Sequence, residues 1–229
     1  MIPWIKLASA AMPGGGPDLR LMRRGDEFSI MTGPVELMNS RLGGSEEALA
    51  TMTCARLGGR AAPHLLIGGL GMGFTLRAAL AVVPPGAILT VAELVPEVIA
   101  WARAEMAPVF GDCLDAPGVR IHEGDVGGLI RGQAARYDAI LLDVDNGPTG
   151  LSRKSNDSLY DDTGLAAAHR ALRPGGVLSV WSSGPDTRFT QRLRRAGFAV
   201  DEVTVRARKS GSGSRHVIWF ATKTSPGRS

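Results

Sequence analysis

From His64 onward, apolar positions fall into compact runs of strand length separated by longer stretches of helical character. Leu65–Gly68, Ile88–Ala92, Val119–His122, Ala139–Asp143 and Val177–Ser182 are the short runs. Phe74–Val82, Pro96 to about Met106, Thr163–Leu172 and Asp186–Ala196 are the helical stretches between or after them. Pro84-Pro85-Gly86 and Arg173-Pro174-Gly175-Gly176 punctuate the alternation, and Pro96 suits a first helical turn, where a missing N–H costs nothing. Ala139-Ile140-Leu141-Leu142 is the most continuously apolar run, as expected of a central strand buried on both faces. Phe198–Ala207 and His216–Ala221 flank Ser210-Gly211-Ser212-Gly213-Ser214 and predict a closing antiparallel hairpin. The pattern predicts an α/β fold: a Rossmann-like, doubly wound, mostly parallel seven-stranded sheet over residues 61–222, with 223–229 as a tail.

Residues 1–60 differ in character. After the break at Pro13-Gly14-Gly15-Gly16-Pro17, Leu19–Arg23 and Phe28–Met31 predict a hairpin about Gly25-Asp26, with Val35–Met38 as a third strand. Ser45 is placed to cap a helix running to about Leu57, with Glu46 and Glu47 favourably set against its dipole. This β-hairpin and helix form a cap on the main domain, too small for a core of its own.

Composition narrows the class. Of the 229 residues, 44% are hydrophobic and 21% charged, a globular balance. No apolar run approaches the roughly 20 residues of a membrane helix, and the first residues lack the pattern of a signal peptide, so a cytoplasmic location is expected. Cys54 and Cys113 stand far apart without CxxC partners, and His64, His122, His169 and His216 fall on separate elements. Neither a disulfide framework nor a metal site is predicted. The net charge of +4 gathers late, at Arg188, Arg192, Arg194, Arg195, Arg206, Arg208, Lys209 and Arg215. No aromatic residues interleave with this cluster, so a solvated face is expected rather than a nucleic-acid interface.

Chemistry concentrates at the predicted strand tips. Gly69, Gly71 and Gly73 make a G-x-G-x-G turn after the first strand of the main sheet, letting the backbone approach a ligand at a helix N-terminus. Glu93 at the second tip can accept both hydroxyls of a ribose, and Asp125 at the third can accept an adenine amino group. Three such features at successive tips point to an adenosyl-sulfonium ligand, S-adenosyl-L-methionine. Asp143-Val144-Asp145 at the fourth tip pairs two acids, Asp143 and Asp145, able to hold an amine and take its proton. Asp143 would also border the cofactor. Trp181 and Trp219 read as core or cleft wall, Tyr160 as a cover over the site, and Arg41 and Glu46 as residues facing the cofactor from the cap.

Tyr137-Asp138-Ala139-Ile140-Leu141-Leu142-Asp143, with a further Asp and Gly147-Pro148 behind it, resembles the spermidine synthase family. Thr75-Leu76-Arg77, Glu93 and Gly124-Asp125 extend the resemblance, which spans roughly Leu19 to Ala221. It implies that Glu93 holds the ribose, Asp125 the adenine and Asp143 the attacking amine, and that the N-terminal strands mediate a homodimer. The family carries an Asp in its glycine turn, against the aminopropyl ammonium of a decarboxylated donor, where this chain has Gly71-Met72. Its Tyr-His-Glu cluster is replaced by Gly43-Gly44-Ser45-Glu46-Glu47-Ala48. Intact S-adenosyl-L-methionine is therefore the expected cofactor. The expected activity is methyl transfer to a small amine-type acceptor. Aminopropyl or aminocarboxypropyl transfer is the alternative, followed by intramolecular cyclisation or elimination of the cofactor, or a non-catalytic adenosyl-ligand or RNA-binding role.

Overall fold

The computed structural model describes residues 2–13, 15–144, 158–207 and 213–224. Two sheets are present. The N-terminal one is a four-stranded antiparallel meander, β1 (Ile5–Ala10), β2 (Leu19–Arg24), β3 (Glu27–Thr32) and β4 (Val35–Asn39), in that spatial order. The hairpin about Gly25 and the third strand stand where the pattern placed them. β1 is an addition. It pairs along β2 with a register shift between Lys6 and Ala8, so its side chains lack the clean alternation that marks a strand in sequence.

Helix α1 (Gly44–Arg56) links this sheet to the main domain, and its N-cap is Gly43, not Ser45. Ser45 lies fully buried inside the first turn, freeing its hydroxyl for the interactions described below. Gly43 has no substitute, because a Cβ there would collide with the Phe74 ring.

The main sheet has seven strands. β5 (His64–Gly68), β6 (Ile88–Glu93), β7 (Val119–Glu123), β8 (Tyr137–Leu142) and β9 (Leu172–Ser182) are parallel, and β10 (Phe198–Arg206) pairs antiparallel with β11 (Arg215–Lys223). The order is β10-β11-β9-β8-β5-β6-β7, with β11 inserted antiparallel to β9. The connecting helices are α2 (Phe74–Leu80), α3 (Pro96–Arg103), α4 (Ala107–Phe110), α5 (Val126–Arg131), α6 (Asp162–Ala171) and α7 (Thr187–Arg195). The sequence pattern did not disclose α5, whose first turn contains Gly127 and Gly128, both poor helix formers.

Alternate residues of each central strand face opposite sides. Leu65, Ile67, Ala139 and Leu141 enter one core, which also takes in Leu21, Phe28 and Ile30 of the N-terminal sheet. Leu66, Ile140, Leu142 and Trp219 enter the other, under α5 to α7. A fully buried side chain of this kind contributes roughly 1.5–3 kcal/mol, so β8, buried along its whole length, anchors the architecture. Its lower end is tied as well. Asp138, 1% exposed, accepts from Arg60, from Arg173 at 2.8 Å and from the His64 backbone N–H at 2.7 Å. No helix among the described residues is long and apolar enough to cross a membrane.

Candidate functional site

Strand register brings the predicted tips together. Gly68 of β5 stands level with Ala92 of β6 on one side and Leu142 of β8 on the other, so Gly69, Glu93 and Asp143 emerge side by side. Two backbone bonds hold them there, from Gly69 N–H to the Ala92 carbonyl at 2.9 Å and from Asp143 N–H to the Gly68 carbonyl at 3.1 Å. Gly69 has φ +89°, and a Cβ on it would sit 2.6 Å from the Asp143 carbonyl oxygen. The turn must be glycine here because it abuts the next strand's tip. Gly73, at φ +73°, is the left-handed N-cap of α2, closed on by Phe110.

Glu93 and Asp125 border a cavity of about 130 Å³ that Gly69, Gly71, Val95 and Asp143 also line. Glu93 is buried and accepts from the backbone N–H groups of Leu70 (3.0 Å) and Val95 (2.9 Å). Burial pushes its carboxyl above the usual range, and these backbone donors pull it back. Asp125 caps α5, accepting from Gly127 N–H at 2.9 Å and Gly128 N–H at 3.2 Å, and is paired to Arg131 at 3.0 Å. The chemistry suits part of a nucleoside: a cradle that glycines keep open, bordered by two carboxylate acceptors.

A second cavity, of about 440 Å³, opens beside the first between the N-terminal sheet and the main domain, and Asp143 borders both. Met12, Leu37, Met38, Leu70, Phe74 and Trp181 form much of its wall. Asp143 lies at the junction, enclosed by protein yet open to the cavity. Burial first, and then the charge of Glu46, push its carboxyl up to about 7, while a 2.9 Å hydrogen bond from the Thr75 hydroxyl opposes the rise. Glu46 lines the same cavity from α1 and is itself raised, mainly by burial, despite accepting from the Ser45 hydroxyl at 2.6 Å. His216 Nδ1 lies 2.8 Å from that hydroxyl, and burial lowers its pKa. Its ring meets Trp181 edge-on at 4.7 Å. The Trp181 indole N–H is the one buried side-chain polar group among the described residues without a hydrogen-bond partner.

Among the residues predicted for the site, Gly69, Gly71, Glu93, Asp125 and Asp143 share the two cavities, and Gly73 supports them from the start of α2. Asp145 lies outside the described residues. Glu46 faces the cavity from the cap, as the sequence suggested. Arg41 does not: it pairs with Glu36 at 3.2 Å and lies over the Trp4 ring. Tyr160 is 2% exposed and packs edge-on against Phe189 in the second core, its hydroxyl donating to the Val144 carbonyl. It belongs to the support beneath Asp143 rather than to a cover. Trp219 is core, with its N–H donated to Thr190. The site roles of Thr75 and His216 were hidden in sequence because their partners, Asp143 and Ser45, lie 68 and 171 residues away and only packing joins them.

The whole architecture is shared with solved proteins. Spermidine synthase from Thermotoga maritima superimposes with a TM-score of 0.73 at 19% identity, covering 95% of this chain and 72% of that one. This is the spermidine synthase-like fold. A probable spermidine synthase from Corynebacterium glutamicum gives 0.67 at 18% identity over 97% of this chain and 81% of its own. The O-methyltransferase TomG from Streptomyces achromogenes gives 0.56 at 17% identity over 79% of this chain and 80% of its own, which relates the spermidine synthase-like fold to the wider class of S-adenosylmethionine-dependent methyltransferases. In sequence, a polyamine aminopropyltransferase from Mycobacterium tuberculosis is 33% identical over 117 residues, covering 47% of this chain. One from Nitrosomonas europaea is 33% identical over 97 residues, covering 42% of this chain. The matched stretches span only 22% and 28% of those relatives' own lengths. No family model matches the chain.

Proposed function

We propose that this protein transfers an aminopropyl group from decarboxylated S-adenosylmethionine to an amine, with Asp143 as the base. The observation that carries this reading is the charge of the larger cavity. Glu46 and Asp143 both face it, and no Lys, Arg or His is among the described residues that line either cavity. Intact S-adenosylmethionine would bring a carboxylate toward two others with no described side-chain cation to meet it. A decarboxylated donor brings only positive charge. The names of the sequence relatives favour the same reaction. Gly71-Met72 lacks an acid, the feature that suggested intact cofactor, but Glu46 enters from α1 and supplies a negative charge to the same space.

Each residue has a task in this reading. Glu93 and Asp125 hold the nucleoside by its ribose and adenine, and the glycines keep the backbone close to it. A bound sulfonium supplies a carbon whose bond to sulfur breaks with the electron pair remaining on a neutral thioether. Asp143 orients the amine for in-line attack and accepts the proton released once the C–N bond has formed. A carboxyl raised to about 7 suits a base working near neutral pH. Thr75 fixes which carboxylate oxygen remains available.

Calorimetric titration with intact and decarboxylated S-adenosylmethionine tests the reading. Two charges about 6 Å apart at an effective dielectric constant of about 20 interact by roughly 2–3 kcal/mol, or on the order of 100-fold in affinity. The decarboxylated form should bind at least tenfold more tightly, and Glu46→Gln should shrink that margin. Equal binding, or preference for the intact form, would overturn aminopropyl transfer in favour of methyl transfer.

A further inference from the structure

Behind Glu46 runs a hydrogen-bonded chain that leaves the larger cavity and ends on the C-terminal hairpin. The first N–H of α1, on Gly44, donates to the Ala207 carbonyl just past β10 at 2.9 Å, which docks the start of the helix against that hairpin. Ser45 follows, fully buried. Its hydroxyl lies 2.6 Å from Glu46 Oε2 on one side and 2.8 Å from His216 Nδ1 on the other. His216 reaches it from β11, half-buried, with the Trp181 ring edge-on at 4.7 Å.

A serine hydroxyl carries one hydrogen, so two arrangements satisfy the chain. Either Ser45 donates to an ionised Glu46 and accepts from His216 Nδ1–H, or a protonated Glu46 donates to Ser45 and Ser45 donates to a bare Nδ1. The charge of Glu46 and the tautomer of His216 are thus tied through a single hydroxyl. Burial works against the carboxylate, as do the charges of Glu47 on α1 and Asp143 at the tip of β8. The Ser45 donor works for it, and so does the place of Glu46 in the first turn of α1, at the positive end of the helix dipole. A donor behind Ser45 strengthens that bond, because hydrogen bonds in series polarise one another. Burial lowers the His216 pKa, so the ring is neutral at pH 8 and its tautomer decides the arrangement. We infer that His216, acting through Ser45, is a positioning residue that holds Glu46 as the carboxylate facing the donor's ammonium, and so sets the cavity's preference for a cationic group. The inference rests on the aminopropyl-donor reading above for the identity of that cation.

The unmodified protein gives the first measurement. At pH 8, nitrogen-15 spectra of the imidazoles should place the His216 hydrogen on Nδ1; a ring carrying it on Nε2 overturns the inference. Carbon-13 labelling of the glutamate carboxyls, with the Glu46 signal assigned by its loss in Glu46→Gln, follows this group against pH. Ser45→Ala should raise its midpoint by about one pH unit and His216→Leu by about half a unit. His216→Asn, which keeps an N–H donor, should restore most of the latter shift. A midpoint unmoved by His216→Leu, or an Asn variant that behaves like Leu, overturns the positioning role. Calorimetry in the Asp143→Asn background, which removes the other titrating carboxyl described in the cavity, ties Glu46 to the ligand. Affinity for decarboxylated S-adenosylmethionine should rise with pH through the Glu46 midpoint and follow it upward in Ser45→Ala. 5′-Methylthioadenosine, the uncharged thioether left by the proposed donor, should keep its affinity in every variant. A donor profile that ignores the Glu46 midpoint while methylthioadenosine binds overturns the specificity role. If neither ligand binds but tautomer and midpoints behave as expected, the positioning of Glu46 by His216 holds and the adenosyl reading falls.

Discussion

Replacing Asp143 with Asn should make the protein more stable at alkaline pH, even as it removes the proposed base. Its carboxyl rises from an ordinary 3.8 to about 7 in the folded chain, chiefly through burial. A raised carboxyl means that the folded state holds its proton to higher pH than the unfolded state does. The destabilisation is therefore absent below about pH 4, grows as pH rises toward 7, and is complete above it. At ~1.4 kcal/mol per pH unit, the full rise corresponds to about 4 kcal/mol. Protonation of the neighbouring Glu46 and water entering from the cavity reduce this, and about 2 kcal/mol is the expected gain for Asn at pH 8. For a chain of this length that corresponds to roughly 4–8 °C in Tm. Asn keeps an oxygen for the Thr75 hydroxyl, so the main change is the loss of charge. Urea and thermal unfolding of both proteins at pH 4.5 and pH 8 measure the difference. A gap that does not widen between those values, or an Asn variant less stable at pH 8, refutes the electrostatic account of this residue.

Three further outcomes follow from the same geometry. Glu46→Gln should let the Asp143 carboxyl fall, moving the pH at which the advantage of Asp143→Asn appears down by about one unit, read from the same melts in the Glu46→Gln background. Gly69→Ala should cost at least about 2 kcal/mol, because a left-handed residue gains a Cβ 2.6 Å from the Asp143 carbonyl; a variant as stable as the parent in urea would contradict it. Asp125→Ala should lose about 1 kcal/mol of stability with the cap of α5, and also weaken methylthioadenosine binding about tenfold. Calorimetry showing unchanged binding would reduce Asp125 to a helix cap.

The fold was legible in sequence where burial is complete. β8 reads as a central strand because both its faces are covered, and the glycine turn reads as a ligand cradle because only glycine satisfies its backbone. β1 was silent because its register shift and exposed edge leave Ile5 to Ala10 without a readable period. α5 was silent because two glycines hide a helix that begins on the side-chain cap of Asp125. At the site, the acids at the strand tips were visible because a parallel sheet fixes where tips lie. The pairing of Glu46 with Asp143 was only half visible: a sequence suggests which way a cap faces, but 97 residues separate the two carboxylates and packing alone sets them against one another. Ser45 looked like a cap by its type. The structure gives that place to Gly43, because Phe74 occupies the space a side chain would need.

Asp138 within β8 and Asp143 just beyond its end divide a lever between them. Asp138 is pinned at the foot by Arg60, Arg173 and a backbone N–H, while Asp143 stands at the head, facing the cavities. The strand between them is about 17 Å of nearly inextensible chain at ~3.3 Å per residue, and one step of slippage would carry the head carboxylate off its mark by that rise. Damage at the foot should therefore be felt at the head: Asp138→Ala removes the carboxylate shared by two partly exposed guanidinium groups and leaves the buried His64 N–H without its acceptor, at about 1–3 kcal/mol. A random search for inactive variants should thus recover substitutions at Arg60 and Arg173, remote from any ligand, for reasons of alignment rather than contact.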